Sequence, residues 1–252
     1  MHKPRKRFGQ NFLQDQNIID NIIELVKPKP DDCILEIGPG TGALTVVLSD
    51  KVKKLYTVEI DHELSKGLKE KFPEIKVFNT DVLKFNLDQL DCARKIRLVG
   101  NLPYNISSPL LFHYLKQCDR IADMHFMLQK ELAERIIAKP HNKTYGRLSV
   151  MLQSFAEVKK LISIPPSAFY PRPKVDSAII RIIPTESNNI GFDSYSFLVK
   201  TIFSKRRKTI RNNLKTIIAE KSLKDCPFDL SLRAENLSIK DYFNLYKWYK
   251  KL

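Results

Sequence analysis

Apolar residues recur along the chain with two periods, one typical of helices and one typical of strands. Near the N-terminus, five apolar side chains repeat at the spacing of one helix face: Ile18, Ile19, Ile22, Ile23 and Val26. Asp15 is placed to cap this segment, and Pro28 and Pro30 are placed to end it. The pattern therefore predicts an amphipathic first helix.

Beyond Pro30, short β-rich runs alternate with helical segments. Five runs are predicted to be strands: 33–37, 55–60, 75–79, 96–101 and 124–128. Helices are predicted between and after them, at 42–50, 62–72, 108–118 and 130–138. This alternation is typical of an α/β protein with a mostly parallel, doubly wound sheet and helices on both faces. Ligands of such sheets bind at the carboxyl ends of the strands.

The second half of the chain departs from this alternation. A helix is predicted at 145–157, followed by strands at 159–164 and 178–183, whose long Pro-rich connection suits an antiparallel return. Past Pro184 only short helices are predicted, and they are placed at 194–203, at 209–219 and from Ser238 onward. This change of pattern predicts a domain boundary near residue 185.

Charge differs between the regions that the elements define. We expect an N-terminal arm with the first helix at 1–30, an α/β domain at 31–185 and a small all-α domain at 186–252. The 252 residues include 43 Lys and Arg and 28 Asp and Glu, and the net charge of +15 divides into +3, +5 and +7 over these regions. A surplus of positive charge at both ends of the chain indicates a polyanionic partner, either nucleic acid or an anionic membrane surface. An even charge that serves only solubility is the alternative.

Cysteine and histidine spacing gives no sign of a metal site. Cys33, Cys92, Cys118 and Cys226 lie far apart without a CxxC pair, and none of the five His residues has metal-ligand spacing. We expect four reduced cysteines, no metal and a cytoplasmic protein. No apolar stretch approaches the ~20 residues of a membrane span, so no membrane association is expected.

A glycine-rich turn follows the first predicted strand of the sheet. Residues 35–43 read Leu-Glu-Ile-Gly-Pro-Gly-Thr-Gly-Ala, and Glu59 ends the second strand. Glycines in such a turn let the backbone approach a ligand closely, and the acidic residue suits a ribose. The turn also satisfies the looser dinucleotide-binding fingerprint, so it leaves the choice of cofactor open.

The end of the fourth strand narrows that choice. Residues 99–104 read Val-Gly-Asn-Leu-Pro-Tyr, which resembles the catalytic motif of S-adenosylmethionine-dependent methyltransferases that modify exocyclic amino groups. The N6 lone pair of adenine is delocalised into the ring and is a poor nucleophile. In the resemblance, the side-chain carbonyl of Asn101 and a main-chain carbonyl of the 101–103 turn accept the two N6 hydrogens and aim the lone pair at the methyl group. Tyr104 would stack on the target base.

Four segments together resemble the bacterial small-subunit rRNA adenine dimethyltransferases: 8–13, 101–107, 169–177 and 206–214. The resemblance runs from residue 5 to about 250, without a departure at a motif position. It implies a Rossmann-like methyltransferase fold with S-adenosyl-L-methionine as the cofactor. It further implies dimethylation of N6 of two adjacent adenosines in the 3′-terminal hairpin of 16S rRNA, in a small-subunit precursor. Separately, we expect the protein to act as a monomer.

The same resemblance assigns roles to individual residues. The cofactor contacts it implies are Asn11, Leu13, Gly38, Gly40, Glu59, Asp81, Val82 and Asn101. Of these, Glu59 would accept both ribose hydroxyls and Asp81 would accept the adenine amine, because a carboxylate supplies only acceptors. The implied catalytic residues are Asn101, Leu102, Pro103, Tyr104 and Phe169.

Two of the implied contacts have structural alternatives. Phe169 is expected to face Tyr104 across the target base, and the alternative is a core aromatic residue. The cationic stretch 205–211 is expected to contact phosphates, with Arg207 and Arg211 on one helix face. A solvated helix face is the alternative there.

Three other functions remain as alternatives to the one implied. A 23S rRNA adenine N6-methyltransferase shares the fold and the strand-end motif, although it usually carries Ile where this chain has Leu102. A non-catalytic RNA-binding ribosome assembly factor would need only the basic ends, and the complete set of site residues argues against it. A nucleotide-dependent oxidoreductase would fit the glycine turn but has no use for the 101–104 motif.

Overall fold

A computed structural model describes residues 4–5, 9–185 and 190–252. Its strands are β1 (Phe12–Leu13), β2 (Cys33–Ile37), β3 (Lys54–Glu59), β4 (Lys76–Asn79), β5 (Ile96–Asn101), β6 (Ile121–Gln129), β7 (Ala156–Ile164), β8 (Phe169–Tyr170) and β9 (Ser177–Pro184). Its helices are α1 (Gln16–Val26), α2 (Thr45–Ser49), α3 (His62–Lys71), α4 (Ser107–Leu115), α5 (Lys130–Ile137), α6 (Arg147–Phe155), α7 (Phe192–Ile202), α8 (Ile210–Leu214), α9 (Glu220–Lys224) and α10 (Ile239–Tyr249). The predicted domain start at 186 and most of the basic N-terminal tail lie outside the described residues.

One seven-stranded sheet organises the α/β part, in the order β4-β3-β2-β5-β6-β9-β7. All five residues of β2 are buried, as expected for a strand flanked on both sides by the parallel strands β3 and β5. The strands β4 and β6 extend the parallel part, and β9 runs antiparallel to β6. The prediction of a mostly parallel sheet with an antiparallel last strand is confirmed.

The chain divides into two compact units whose limits differ from the predicted domains. The first comprises 1–133 and 158–184, and the second comprises 134–157 and 185–252. The predicted arm at 1–30 is thus part of the first unit. Helix α6, expected in the α/β domain, belongs to the second unit, where it packs against α7 and α10. Seven of its nine residues are buried, so it needs apolar partners on several sides.

Two local differences from the predicted elements have simple causes. The helix expected at 42–50 is reduced to α2, because the glycine turn continues through Gly42, whose φ is +88°. The ribbon of β1 and β8, which pairs Phe12 with Tyr170 and Leu13 with Phe169, was not predicted. Strands of two residues are too short to show an alternating pattern.

Helix α1 is fixed at both ends by side chains. The Asp15 carboxylate accepts a hydrogen bond from the Ile18 N–H at 3.2 Å, as the predicted cap requires. At the other end, the Arg97 guanidinium donates to the Val26 carbonyl at 2.6 Å. Arg97 also pairs with Asp32 at 2.7 Å and Asp123 at 2.9 Å. One largely buried cation therefore joins α1 to β5 and β6.

We expect Arg97→Met to lower the stability of the first unit by about 3–5 kcal/mol, because it leaves two partly buried carboxylates without their cation. The measurement is the shift of the urea unfolding midpoint. Lys53→Met is the control, since Lys53 pairs with Asp31 at 3.0 Å on the exposed surface and should cost about 1 kcal/mol or less. Equal shifts for the two variants would contradict this assignment.

Two of the four cysteines lie side by side. Cys33 and Cys92 are in contact with their Cα atoms 6.3 Å apart, whereas Cys118 and Cys226 have no cysteine beside them among the described residues. The reduced state of the four cysteines stays a prediction. Cys33 and Cys92 lie 59 positions apart in sequence and meet because Cys92 lies in the segment that leads into β5, the neighbour of β2.

The described part of the chain has neither a membrane-spanning helix nor a metal-binding cluster. No helix there is long and apolar enough to cross a membrane. Among the same residues, no group of three or more His, Cys, Asp and Glu side chains is arranged to hold a metal ion.

Candidate active site

A cavity opens at the carboxyl ends of β2, β3 and β5. Its lining includes the four strand-end residues Asn101, Leu102, Pro103 and Tyr104. It also includes all the predicted cofactor contacts: Asn11, Leu13, Gly38, Gly40, Glu59, Asp81, Val82 and Asn101. The parallel topology thus brings the strand-end residues together and the N-terminal arm adds Asn11 and Leu13, whereas Phe169 is not among the lining residues.

The glycine turn needs its glycines for two separate reasons. Gly38 and Gly40 have φ values of +63° and +59°, a region that side chains rarely adopt. A Cβ on Gly40 would also lie 2.9 Å from a ring carbon of Phe12. The N-terminal arm therefore packs directly on the turn, and any side chain at Gly40 would push it away.

Glu59 holds the glycine turn through its carboxylate. One oxygen accepts a hydrogen bond from the Gly40 N–H at 3.1 Å, and the other accepts from the Asp61 N–H at 2.9 Å. Burial raises the pKa of Glu59, although the two backbone hydrogen bonds favour the ionised form. A carboxylate fixed in this way can accept further hydrogen bonds from a vicinal diol.

Asp81 caps the turn after β4. One of its oxygens accepts a hydrogen bond from the Leu83 N–H at 2.9 Å and starts a 3₁₀ turn at Val82–Lys84. The carboxylate is thereby aimed from a fixed backbone at the edge of the cavity. Its acceptor chemistry suits an exocyclic amine, in keeping with the predicted role.

The amide of Asn101 has a defined orientation. Its Nδ2 donates to the Asn11 carbonyl at 2.8 Å, so its Oδ1 faces the opposite way. In the turn that follows, the Pro103 carbonyl already accepts hydrogen bonds from the Ile106 N–H and the Ser107 hydroxyl. No hydrogen bond to the Leu102 carbonyl occurs within the described residues. The Asn101 side-chain oxygen and the Leu102 main-chain carbonyl are therefore two acceptors beside the cavity to which no described residue donates.

Arg5 and Gln10 hold the N-terminal arm against the site, and neither residue was predicted to have a role there. Arg5 donates to Asp61 at 3.3 Å and pairs with Glu63 at 2.7 Å. The Gln10 amide donates to the second oxygen of Asp61 at 3.1 Å. Asp61 is fully buried and also caps α3. Its position two residues after Glu59 could have indicated a cap, but its contacts with the arm leave no local pattern.

The two aromatic residues of the predicted catalytic set occupy different environments. Tyr104 is half-buried at the cavity and its hydroxyl lies 2.9 Å from the Ser177 hydroxyl. Phe169 is only 5% exposed and packs in the core with Leu13 and Ile179. The structure therefore does not display the expected pairing of Phe169 with Tyr104 across an open site, whereas the neighbouring Tyr170 is 56% exposed.

Glu36 is a cavity residue to which the sequence analysis gave no role. It belongs to the glycine motif, is 2% exposed and accepts a hydrogen bond from the Thr45 hydroxyl at 2.6 Å. Burial raises the pKa of Glu36 to about 7, and the charge of Glu59 adds to the effect. The central position of β2 in a parallel sheet would have predicted its burial, but strand patterns do not identify titrating groups.

The cationic stretch of the second unit is not helical as predicted. Helix α8 begins at Ile210 with Thr209 as its N-cap, so 205–208 lie in the preceding turn. The prediction that Arg207 and Arg211 share a helix face is therefore wrong. Arg211 pairs with Glu220 at 2.5 Å. Arg206 pairs with Glu235 at 2.8 Å and donates to the Lys143 carbonyl.

The sheet order, the inserted antiparallel β9 and the cavity at the strand ends define a Rossmann-like methyltransferase. Solved structures agree with this class. The chain superimposes on a dimethyladenosine transferase from Plasmodium falciparum with a TM-score of 0.82 and 30% identity, covering 95% of this chain and 98% of that one. It matches the 23S rRNA methyltransferase ErmE with a TM-score of 0.70 and 27% identity, covering 95% and 100%.

Sequence comparison identifies the family within this class. The family model described as ribosomal RNA adenine dimethylase matches residues 1–251, and the chain belongs to this family. The chain is 49% identical over 251 residues to ribosomal RNA small subunit methyltransferase A of Saccharophagus degradans, covering 97% of this chain and 94% of the relative. It is 48% identical over 260 residues to the protein of the same name from Hydrogenovibrio crunogenus, covering 99% and 98%.

Proposed function

We propose that this protein transfers methyl groups from S-adenosyl-L-methionine to N6 of two adjacent adenosines in the 3′-terminal hairpin of 16S rRNA. The product is N6,N6-dimethyladenosine in a small-subunit precursor. The observation that carries the proposal is the hydrogen bond from Asn101 Nδ2 to the Asn11 carbonyl, which orients the amide so that its oxygen remains available as an acceptor beside the cavity. We further propose that the protein acts in the cytoplasm as a monomer.

The residues around the cavity fit the proposed cofactor. Glu59 and Asp81 supply acceptors for a ribose diol and an adenine amine, and Gly38 and Gly40, which line the cavity without side chains, would border the methionine end. Asn11, Leu13 and Val82 complete the proposed binding surface. When bound, S-adenosyl-L-methionine supplies an electrophilic methyl group on a sulfonium.

The proposed chemistry is orientation rather than strong base catalysis. Asn101 Oδ1 and the Leu102 carbonyl accept the two N6 hydrogens, which favours a pyramidal nitrogen with its lone pair aimed at the methyl group. Pro103 holds the turn in which these acceptors lie. Each transfer would leave S-adenosylhomocysteine and release one N6 proton to solvent water, so one N6 hydrogen remains after the first transfer and the second transfer depends less on having both acceptors.

Tyr104 is the proposed platform for the target base, because its ring lines the cavity next to the Asn101 acceptor. Phe169 remains a proposed second base contact. Its ring is covered by core residues, so this role would require the Phe169 side chain to leave the core when RNA binds. Base stacking on aromatic rings is a common way to hold an unstacked nucleotide.

The proposed RNA contacts lie mainly in the second unit. Its sequence holds 18 Lys and Arg residues against 9 Asp and Glu, whereas the first unit holds 25 against 19. The surplus of positive charge that indicated a polyanionic partner is therefore densest in the second unit, whereas the proposed cofactor cavity lies in the first. Phosphate contacts need exposed cations that are not already paired within the protein.

We expect Arg207→Ala to reduce the salt slope of RNA binding by about 0.7–0.9, the value for one lost phosphate contact. Arg207 is exposed and pairs with none of the described acidic residues, whereas Arg206 is held by Glu235. The measurement is the binding constant for the 16S hairpin at several salt concentrations. Arg206→Ala is the matched control and should leave the slope nearly unchanged. An unchanged slope for Arg207→Ala would assign its charge to solubility.

The substrate is tested by mapping modified nucleotides after incubation with labelled S-adenosyl-L-methionine. We expect label at N6 of two adjacent adenosines near the 3′ end of 16S rRNA in small subunits that lack these methyl groups. Label on naked 23S RNA instead would favour the large-subunit alternative, which the names of the similar bacterial proteins do not support. Calorimetry with S-adenosyl-L-methionine tests the assembly-factor alternative, which would be favoured by an absence of binding. Calorimetry with NADH tests the oxidoreductase alternative, which an absence of binding would remove.

A further inference from the structure

The Tyr104 hydroxyl is anchored to a residue far away in sequence. It lies 2.9 Å from the Ser177 hydroxyl, across 73 positions, and joins the 101–107 segment to the 169–177 segment. Ser177 is completely buried as the first residue of β9, where it is in register with Gln129 of β6. A backbone hydrogen bond of 2.9 Å from Lys130 to Asp176 closes the end of this ladder. The anchor is therefore part of the rigid sheet.

This anchor limits how the Tyr104 side chain can move. The ring is held by the backbone at one end and by Ser177 at the other, so rotation about χ1 would break the hydrogen bond. Burial raises the pKa of Tyr104, which keeps its hydroxyl protonated and able to share this bond at neutral pH. Because the oxygen is engaged at Ser177, the part of the side chain left to serve the cavity is the aromatic ring.

A tyrosine held in this way is suited to stacking and poorly suited to proton transfer. A general base must reach the proton that it removes within hydrogen-bond distance. Here the hydroxyl is directed at β9, and the acceptors beside the cavity are Asn101 and Leu102. Loss of the anchor would leave the ring free to adopt other rotamers, and only some of them would match the plane of a target base.

We propose that Ser177 is a positioning residue of the methyl-transfer site, which holds the Tyr104 ring in the orientation on which the target adenine stacks. The inference rests on the proposed function, because it needs a base bound beside Asn101. It concerns the rate of transfer and not the binding of the cofactor. We expect loss of the anchor to reduce kcat about five- to tenfold, the effect typical of one lost hydrogen bond.

The test is a double-mutant cycle on the full-length protein. Ser177→Ala, Tyr104→Phe and the double variant are compared with the wild type for kcat and KM, with labelled S-adenosyl-L-methionine and small subunits that lack the methyl groups. We expect both single variants and the double variant to show the same loss of kcat. Calorimetry should show an unchanged Kd for S-adenosyl-L-methionine in all four proteins. Tyr104→Phe also serves as the second variant if Ser177→Ala does not fold, because it removes the same bond without changing the packing of β9.

The matched control is a second buried Ser–Tyr hydrogen bond away from the cavity. Ser154 and Tyr195 lie 2.8 Å apart in the core of the second unit. Ser154→Ala should lower the thermal unfolding midpoint but leave kcat unchanged. A loss of kcat in the double variant equal to the product of the two single losses would overturn the role of Ser177. An unchanged kcat in Tyr104→Phe would overturn it as well. Absence of methyl transfer by the wild type would instead overturn the proposed function, and the role of Ser177 with it.

Discussion

Asn101→Asp should reduce methyl transfer at pH 8 by about 10²–10³-fold, the typical effect of losing one preorganised hydrogen-bonding group in an active site. The amide nitrogen of Asn101 donates to the Asn11 carbonyl at 2.8 Å. A carboxylate oxygen in its place would face the lone pairs of that carbonyl without a hydrogen between them. The side chain would turn away or bind a proton, and the acceptor for N6 would lose its orientation.

The pH dependence of this variant makes the prediction specific to the arm. A protonated Asp side chain can donate to the Asn11 carbonyl with one oxygen and accept from N6 with the other, as the amide does. The activity of Asn101→Asp relative to wild type should therefore rise as the pH falls from 8 to 6. Asn101→Ala is the control, because it lacks both groups and should remain inactive throughout. Wild-type activity of Asn101→Asp at pH 8, in single-turnover assays of labelled methyl transfer, would contradict the assigned geometry.

The sequence predicts the sheet and the site residues that the sheet itself carries. Glu59, Asp81 and Asn101 lie at or just after the ends of three parallel strands, and a parallel sheet brings such ends to one edge. Their common location at the cavity follows from strand order alone. The positive φ values of Gly38 and Gly40 likewise follow from the glycine-rich turn.

Contacts that depend on tertiary packing were not predictable in the same way. The hydrogen bonds of Arg5 and Gln10 to Asp61 join segments about 50 residues apart, and no local periodicity predicts them. Phe169 is a different case: its motif predicts a base contact, which stays a prediction, whereas the pairing of β8 with β1 places the ring in the core. A sequence motif suggests a chemical role for a residue. Whether its side chain is exposed depends on the segments that pack over it.

Asn11 and the two residues that follow it in the N-terminal arm connect the strand-end residues to the contacts made by tertiary packing. The Asn11 carbonyl orients Asn101, its neighbour Phe12 packs on Gly40, and Leu13 pairs with Phe169 across the β1–β8 ribbon. The proposed acceptor for N6, the proposed cofactor turn and the predicted second base contact are thus all in contact with three consecutive residues. A change in the arm would therefore reach all three parts of the proposed reaction at once.

The buried carboxyl of Glu36 should make the cofactor-free protein less stable as the pH rises. Its pKa is raised from the ordinary 4.5 to about 7, because burial disfavours the charged form and Glu59 adds like charge. Between these two pH values the folded protein retains a proton that the unfolded chain has lost, so the free energy of unfolding falls as pH increases. The loss is about 3 kcal/mol and is complete above pH 7.

Glu36→Gln should remove this loss, because the amide stays neutral and can still accept the hydrogen bond from Thr45. The stability of Glu36→Gln relative to wild type should therefore increase by about 3 kcal/mol between pH 4.5 and pH 8. At about 2–4 °C per kcal/mol, this corresponds to roughly 6–12 °C in the difference between thermal midpoints. Glu24→Gln, which removes an exposed carboxylate from α1, is the control and should follow the wild type at every pH. Parallel curves for wild type and Glu36→Gln would show that Glu36 is already ionised in the folded protein, with its charge stabilised by a contact other than Thr45.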